Sequence, residues 1–146
     1  MRQAGPDDVA AVAALVEAAF AVHVAAVGRR PAPMDADHAW HAAHGEQYVL
    51  DGADGELVSS VVLVGQTDHL LVHNVAVSPA HQGAGRGRAL IAFAEDEARR
   101  RGLPELRLHT NAAMASNLIM YPRLGFVETG RAFDEGFHRV FFVKQI

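Results

Sequence analysis

The chain has 146 residues, half of them apolar, a formal net charge of -4 and no cysteine. That length gives one domain with a real core, burying about 68–70% of the surface an unfolded chain exposes. The composition excludes a disordered chain, a disulfide framework and thiolate chemistry, and the acidic balance argues against nucleic acid and membranes as partners. No run approaches the roughly 18 apolar residues of a membrane span, and Met1–Pro6 has no apolar signal core, so the expected compartment is the cytoplasm.

Pro6, Asp7 and Asp8 open the first helix, with an aspartate as cap. Val9, Val12, Ala13, Leu15, Val16, Ala19 and Phe20 recur at helical spacing, and the helix runs to about Val27 before Gly28–Pro33 break it. Asp35–His44 reads as a second helix, capped by Asp35 or Asp37. Its row His38, His41 and His44, followed by Glu46, reads as a solvated face rather than a metal site, because helical ligand pairs favour i, i+4. Gln47–Leu50 and Leu57–Val64 form a hairpin across Asp51–Gly55, and His69–Val77 is a third strand.

Gly85–Arg101 is a long amphipathic helix with Leu90, Ile91, Ala94 and Ala98 on its apolar face and Gly102 at its end. The run Arg99–Arg101 reads as a solvated helix end. Leu106–Thr110 is a strand. With a helix in between, it lies parallel to the preceding strand in a βαβ crossover. Met114–Leu124 is the last helix, and Phe126–Gly130 and Phe137–Val143 form a final hairpin across Asp134-Glu135-Gly136. The pattern is one α/β domain over residues 1–146 with a mixed sheet. The apolar segment Val140-Phe141-Phe142-Val143 is the expected face for a second copy of the chain, a candidate homodimer.

Residues 72–88 carry the most functional information. An apolar strand ending Val75-Ala76-Val77 meets a Ser78-Pro79 turn, and Gly83, Gly85 and Gly87 then alternate into the long helix. Glycine lets a ligand approach the main chain without meeting a Cβ, and free N–H groups at a helix start seat phosphate. A Walker loop needs lysine and Ser/Thr after its glycines, and neither is present. The dinucleotide fingerprint G-x-G-x-x-G fails because the third glycine comes one place early.

What fits is Gln82-x-x-Gly85-x-Gly87, which resembles the pyrophosphate motif Q/R-x-x-G-x-G/A of the GNAT superfamily of acetyl-CoA-dependent N-acyltransferases. Asn117-Leu118-Ile119-Met120-Tyr121-Pro122-Arg123-Leu124-Gly125-Phe126 resembles the second signature of that family. The resemblance covers roughly Pro6 to Val143. It implies a mixed sheet flanked by about four helices, with a first strand short or missing because only five residues precede Pro6. It also implies that the strand ending at Val77 and the strand Leu106–Thr110 splay apart. Acetyl-CoA is the implied co-substrate. Its pantetheine would lie on the main chain of Val75, Ala76 and Val77, and its pyrophosphate on the N–H groups of Gln82, Gly83, Ala84, Gly85, Arg86, Gly87 and Arg88. Arg86, Arg88 and Arg123 are candidates for its other phosphates.

The implied reaction is direct attack of an amine on the thioester in a ternary complex. It needs a base, an oxyanion donor and an acid for the leaving thiolate. The resemblance makes Tyr121 the acid, Asn117 a hydrogen-bonding partner of the pantetheine and a main-chain N–H near Val75 the oxyanion donor. Pro122 is expected to kink the helix at Tyr121. His73 interrupts an apolar strand and is the candidate base, because its pKa near 6.5 suits proton removal. Strand alternation puts His73, Val75 and Val77 on one face. His109 and His138 are the alternatives, and Phe20 and Trp40 are candidate walls of the acceptor pocket. The resulting reading is an N-acetyltransferase acting on a primary amine, either a small molecule or a protein N-terminus. The competing readings are a non-catalytic acyl-CoA-binding or regulatory module and a generic nucleotide binder.

Overall fold

A computed structural model describes all 146 residues. In chain order the elements are β1 (Arg2–Gln3), α1 (Val9–Ala21), α2 (Val24–Val27), α3 (His38–Ala43), β2 (Gln47–Asp51), β3 (Leu57–Gly65), β4 (Leu70–Val77), α4 (Arg86–Arg100), β5 (Glu105–Asn111), α5 (Ala115–Arg123), β6 (Val127–Asp134) and β7 (Phe137–Gln145). The strands form one seven-stranded mixed sheet in the order β1-β2-β3-β4-β5-β7-β6. Every pairing is antiparallel except β4 with β5, which α4 connects as a crossover. No helix is long and apolar enough to cross a membrane.

Apolar residues at i, i+3 and i+4 explain why the helices sit where they do. Val12, Leu15, Val16, Ala19 and Phe20 of α1 bury against Val49, Ala76 and Met114 on one face of the sheet. Leu90, Ile91, Ala94 and Ala98 of α4 bury against Val61, Leu63, Leu70, Leu106 and Leu108 on the other, where Tyr121, Phe126, Val140 and Phe142 also pack. Burying a side chain such as Leu90 is worth about 1.5–3 kcal/mol, so these two rows fix both helices on the sheet.

Several boundaries differ from the sequence reading. Five α-helices are present rather than about four, because α1 stops at Ala21 and α2 closes on Gly28, held at φ +85°. The first strand is indeed only two residues long. Its Arg2 is held by Asp8 at 2.8 Å and Asp51 at 2.6 Å. β6 runs to Asp134 rather than Gly130, because Glu135 and Gly136, at φ +53° and +81°, form a two-residue turn whose twist suits a long hairpin. β7 lies between β5 and β6; of the segment expected to meet a second copy, Val140 and Phe142 are buried in the molecule's own core while Phe141 and Val143 stay partly exposed. The Arg99–Arg101 run is paired as well as solvated. Arg100 and Arg101 both hold the buried Glu97, and Arg101 also donates to Tyr48 Oη at 3.2 Å.

Two departures from regular strand geometry shape the interior. The β4–β5 register consists of Leu70 with Leu106 and Leu71 with Arg107, after which the strands separate. On its other side β4 carries a bulge: Ser60 pairs with Ala76 and Val62 with His73, so Asn74 and Val75 together oppose Val61. Asn74 takes φ +51°, a conformation asparagine tolerates better than most residues. The extra residue reverses the alternation of side chains. Val75 and Val77 pack toward the α4 cluster, while Ala76 joins the α1 cluster. The expectation that His73 shares a face with Val75 and Val77 is therefore wrong, because unbroken period-two alternation does not survive a bulge.

Candidate active site

Past the point where β4 and β5 part, two cavities open. The larger, about 700 Å³, is lined by Val75, Ala76, Val77, Gln82, Gly83, Gly85, Arg86, Gly87 and Arg88, with Asn117, Met120, Tyr121 and Arg123 of α5 opposite. The smaller, about 360 Å³, is lined by His73, Asn74 and Val75 of β4, His109 and Thr110 of β5, His41 of α3, Pro31–Pro33, and Glu135, Phe137 and Arg139 of the final hairpin. Phe20, Val75, Met114, Asn117 and Tyr121 belong to the walls of both.

The larger cavity is built largely from main chain. Gly83 and Gly85 stand at φ +84° and +74°, and Gly85 is the N-cap of α4. Those two left-handed steps turn the chain from β4 into the helix. The Gln82 side chain ties the arch back to β4, its Nε2 donating to the Val77 carbonyl at 3.1 Å. No N–H from Gln82 to Arg88 is donated to a protein group. The first helical bond of α4 runs from Ala89 N–H to the Gly85 carbonyl at 3.0 Å. Free N–H groups converging at the positive end of a fifteen-residue helix seat an anion. Arg86 Nε is buried there without a protein partner, which also fits a phosphate-bearing group. Arg88 and Arg123 line the same space, whereas Ala84 alone among Gln82–Arg88 does not.

Tyr121 stands between the cavities. It is 5% exposed, and its ring packs edge-on to Phe126 at 5.6 Å and tilted against Phe142 at 5.8 Å. No protein group hydrogen-bonds its hydroxyl, and burial pushes the phenol up to about 12. The helix around it runs on through Pro122 to Arg123. Gly125 at φ +96° closes it, with Gly125 N–H bonded to the Pro122 carbonyl at 3.0 Å and Phe126 N–H to the Tyr121 carbonyl at 3.1 Å. Pro122 is in the last turn, where this C-cap holds the backbone that proline would otherwise loosen. Asn117 lies one turn earlier. Its Nδ2 donates to Thr110 Oγ1 at 3.0 Å, which anchors α5 to β5 and leaves the amide oxygen without a protein partner.

The smaller cavity is lined by side chains from seven separate segments. His73 and His109 face one another across the gap between β4 and β5, ring centroids 5.6 Å apart. They are the next residues in register after Leu71 and Arg107 on the same sheet face. Burial pushes both imidazoles down, His109 to about 4, with the nearby Arg139 and His73 adding to the effect. His41 Nδ1 is 2.8 Å from Glu46 Oε1. Arg139 is held by Asp134 at 2.8 Å, with Glu135 at 3.6 Å.

Not every residue expected here is present. Trp40 lines neither cavity: it is exposed and stacks on His44 at 3.8 Å. His138 is also outside, stacked on Phe133 at 4.6 Å. The histidine row on α3 is not a solvated face: His38 is buried and its imidazole pushed down by burial, and His41 turns into the smaller cavity. Arg139, Glu135 and the Pro31–Pro33 wall went unforeseen. They come from a loop and a hairpin tip whose meeting has no local signal, although Glu46, five places after His41, was a visible partner.

Residues 11–126 match the Acetyltransferase (GNAT) family. A streptothricin acetyltransferase from Streptomyces lavendulae is 34% identical over 90 residues, which are 60% of this chain and 48% of that one. The chain thus spans about half the length of the relatives it matches. Among solved structures, a GNAT-family acetyltransferase from Listeria monocytogenes 4b F2365 superposes with a TM-score of 0.75 at 20% identity, over 99% of this chain and 93% of that one. A putative streptothricin acetyltransferase from Bacillus anthracis str. Ames, solved in complex with acetyl coenzyme A, superposes with a TM-score of 0.62 at 19% identity, over 68% and 61% of the two chains. With the family match running from α1 to Phe126, over more than half of its length, this chain belongs to the GNAT acetyltransferase family.

Proposed function

We propose that this protein transfers an acetyl group from acetyl-CoA to the primary amine of a small molecule. The observation that carries the reading is the shared wall. A cavity lined by unpaired main-chain donors and a cavity lined by histidines meet at Val75, Asn117 and Tyr121. Both substrates can therefore be held at once, and no covalent enzyme intermediate is needed. The smaller cavity, walled by loops, suits a small acceptor better than a protein N-terminus.

Bound in the larger cavity, acetyl-CoA supplies an activated acyl carbon and a thiolate leaving group. The N–H groups of Gln82–Arg88 and the guanidinium of Arg86 hold the diphosphate, and the backbone of Val75–Val77, freed from β5, holds the pantetheine. The free Asn117 amide oxygen accepts from the same arm. The Val75 N–H, which lies in the bulge, is the candidate donor to the oxyanion. On the acceptor side the ammonium gives one proton to a base, for which His73 is the first choice. The free amine attacks, its nitrogen bonds to the acyl carbon, and the C–S electron pair leaves with sulfur. Tyr121 protonates the thiolate, and the second nitrogen proton restores the phenol. The net products are an amide, a thiol and one proton. A phenol near 12 is a weak acid, but the dry wall that raises it penalises a naked thiolate as well, so only the difference between the two opposes transfer.

Thiol release measured with acetyl-CoA over a panel of primary amines tests this reading. The expected result is amine-dependent thiol, with acetyl-CoA raising the melting temperature and ADP failing to do so. Tight acetyl-CoA binding with no thiol from any amine overturns it in favour of an acyl-CoA-binding module. Equal protection by ADP overturns it in favour of a generic nucleotide binder.

A further inference from the structure

Resting on the function proposed above, the acceptor cavity has a feature that the reaction as written does not use. His73 is half-buried, and its loss of solvent disfavours an imidazolium there, so its proton has to go elsewhere. His109, its ring neighbour, is harder still to protonate. One histidine of this cavity has a carboxylate beside it. His41 Nδ1 lies 2.8 Å from Glu46 Oε1, and both side chains keep about a fifth of their surface in contact with solvent. A carboxylate only accepts hydrogen bonds, so Nδ1 carries the hydrogen and Nε2 is left with its lone pair. Nε2 makes no hydrogen bond within the protein, and His41 lines the cavity.

We propose that the His41–Glu46 pair is the proton outlet of the acceptor cavity: Nε2 of His41 receives the proton shed by the incoming ammonium and passes it to solvent, while Glu46 fixes the tautomer and offsets the transient positive charge. Only a proton moves, from ammonium nitrogen to the His73 imidazole, on to Nε2 of His41 and from there to water, so no other reactant is required. His41 and His73 line the same cavity, so the transfer stays within it.

On or flanking its own helix stand His38, His44 and Asp37, with the Trp40 ring edge-on at 5.4 Å. His73, His109, Glu135 and Arg139 share the cavity. Of the elements packed on α3, α1 brings Glu17, paired with Arg30; the Pro6–Asp8 turn brings Asp7 and Asp8, the latter paired with Arg2; and β2 brings Asp51, also paired with Arg2, and Tyr48, bonded to Arg101. Only Glu46 touches the imidazole as an ion-pair partner.

The test is kcat/KM for the amine as a function of pH in the full chain, with acetyl-CoA affinity measured by calorimetry alongside. H41A is expected to lower kcat/KM about 100-fold near neutral pH, to change the acidic limb of the profile and to be rescued by added imidazole, with acetyl-CoA affinity unchanged. E46Q, which keeps the side chain's shape, is expected to lose on the order of 10-fold, and E46D to recover part of it. Wild-type activity and profile in both H41A and E46Q overturn the proposal. So does a loss in both that leaves the profile's shape intact and is not rescued by imidazole, since a merely structural role gives that result. Should H41A not fold, E46Q and its pH profile decide alone. Failure of the wild-type chain to acetylate any amine is a different outcome and strikes the function itself.

Discussion

The two cavities share a wall but are made of different material. The larger one presents mostly backbone: free N–H groups along a glycine arch, a helix start and a strand edge released from its neighbour. The smaller one presents mostly side chains, which α1, α3, α5, two strands, a loop and the final hairpin bring together. A backbone site accepts many side chains provided the chain path is kept, so its requirement is a few glycines at fixed spacing. A side-chain site depends on each residue separately. On the proposed function, one fold can therefore hold one co-substrate constant while the acceptor varies, and the Tyr121 wall is where the two would have to agree.

The sharpest way to break that division is at the wall itself. Tyr121→Phe removes the hydroxyl and keeps the ring on Phe126 and Phe142, so kcat is expected to fall about 100-fold or more while acetyl-CoA affinity and stability barely change. Steady-state kinetics with calorimetry reads both. Unchanged kcat removes Tyr121 from the chemistry. Gly85→Val attacks the backbone site alone. A β-branched residue at φ +74° costs roughly 1–3 kcal/mol locally and puts carbon where the diphosphate approaches. Its expected result is about a 100-fold weaker acetyl-CoA Kd in calorimetry, with the acceptor cavity intact. No Cβ contact lies within 4 Å at that position, so a loss reports conformation and ligand approach rather than a clash in the free protein.

The same division decides what could be read from the sequence. The arch, α4 with its buried face, the crossover and the Tyr121 helix were legible because each has a local signature: alternating glycines, 3.6-residue spacing, a glycine stop. The bulge at Asn74 was not. An asparagine inside an apolar run does not say whether it continues the pleat or interrupts it, and that one residue moved Val75 and Val77 to the opposite face from His73. The acceptor cavity was half legible. His73 and His109 stood out as polar residues in apolar strands, but their facing position follows from a register that only the folded sheet sets. Arg139, Glu135 and Pro31–Pro33 meet across about a hundred residues of chain, a distance that no periodicity reports.

A subtler contrast is one of pH. The main-chain N–H groups of the larger cavity do not titrate, whereas the smaller cavity holds His73 and His109, whose protonation burial disfavours. His109 lies at about 4 in the folded protein against about 6.5 unfolded. Between those values the unfolded chain binds the extra proton, so this contribution is fully present above about pH 6.5 and is lost as the pH falls toward 4. His73 and His38 shift in the same direction. Asp8, held at about 2 by Arg2, acts below the ordinary carboxylate value and so outside this window. Melting temperature should therefore decline from pH 6.5 to 4, and His109→Phe should flatten that decline. A slope unchanged by the substitution shows that His109 is not what makes the cavity acid-sensitive.

The smallest effect expected comes from Arg29, which ties the two loop walls together. Its guanidinium carbon sits 4.2 Å from the Phe137 ring centroid and its Nη1 donates to the Glu135 carbonyl at 3.4 Å, so the loop after α2 is fastened to the tip of the final hairpin. Pro31–Pro33 and Phe137, on either side of that fastening, both line the acceptor cavity. An exposed cation–π contact is worth about 0.5–1 kcal/mol, so Arg29→Ala should raise the KM for the amine roughly 2- to 5-fold. Acetyl-CoA affinity should not move, because Arg29 does not reach the glycine arch. If both affinities weaken together, the cavities are mechanically coupled through the hairpin, and the separation of a constant backbone site from a variable side-chain site does not hold for this chain.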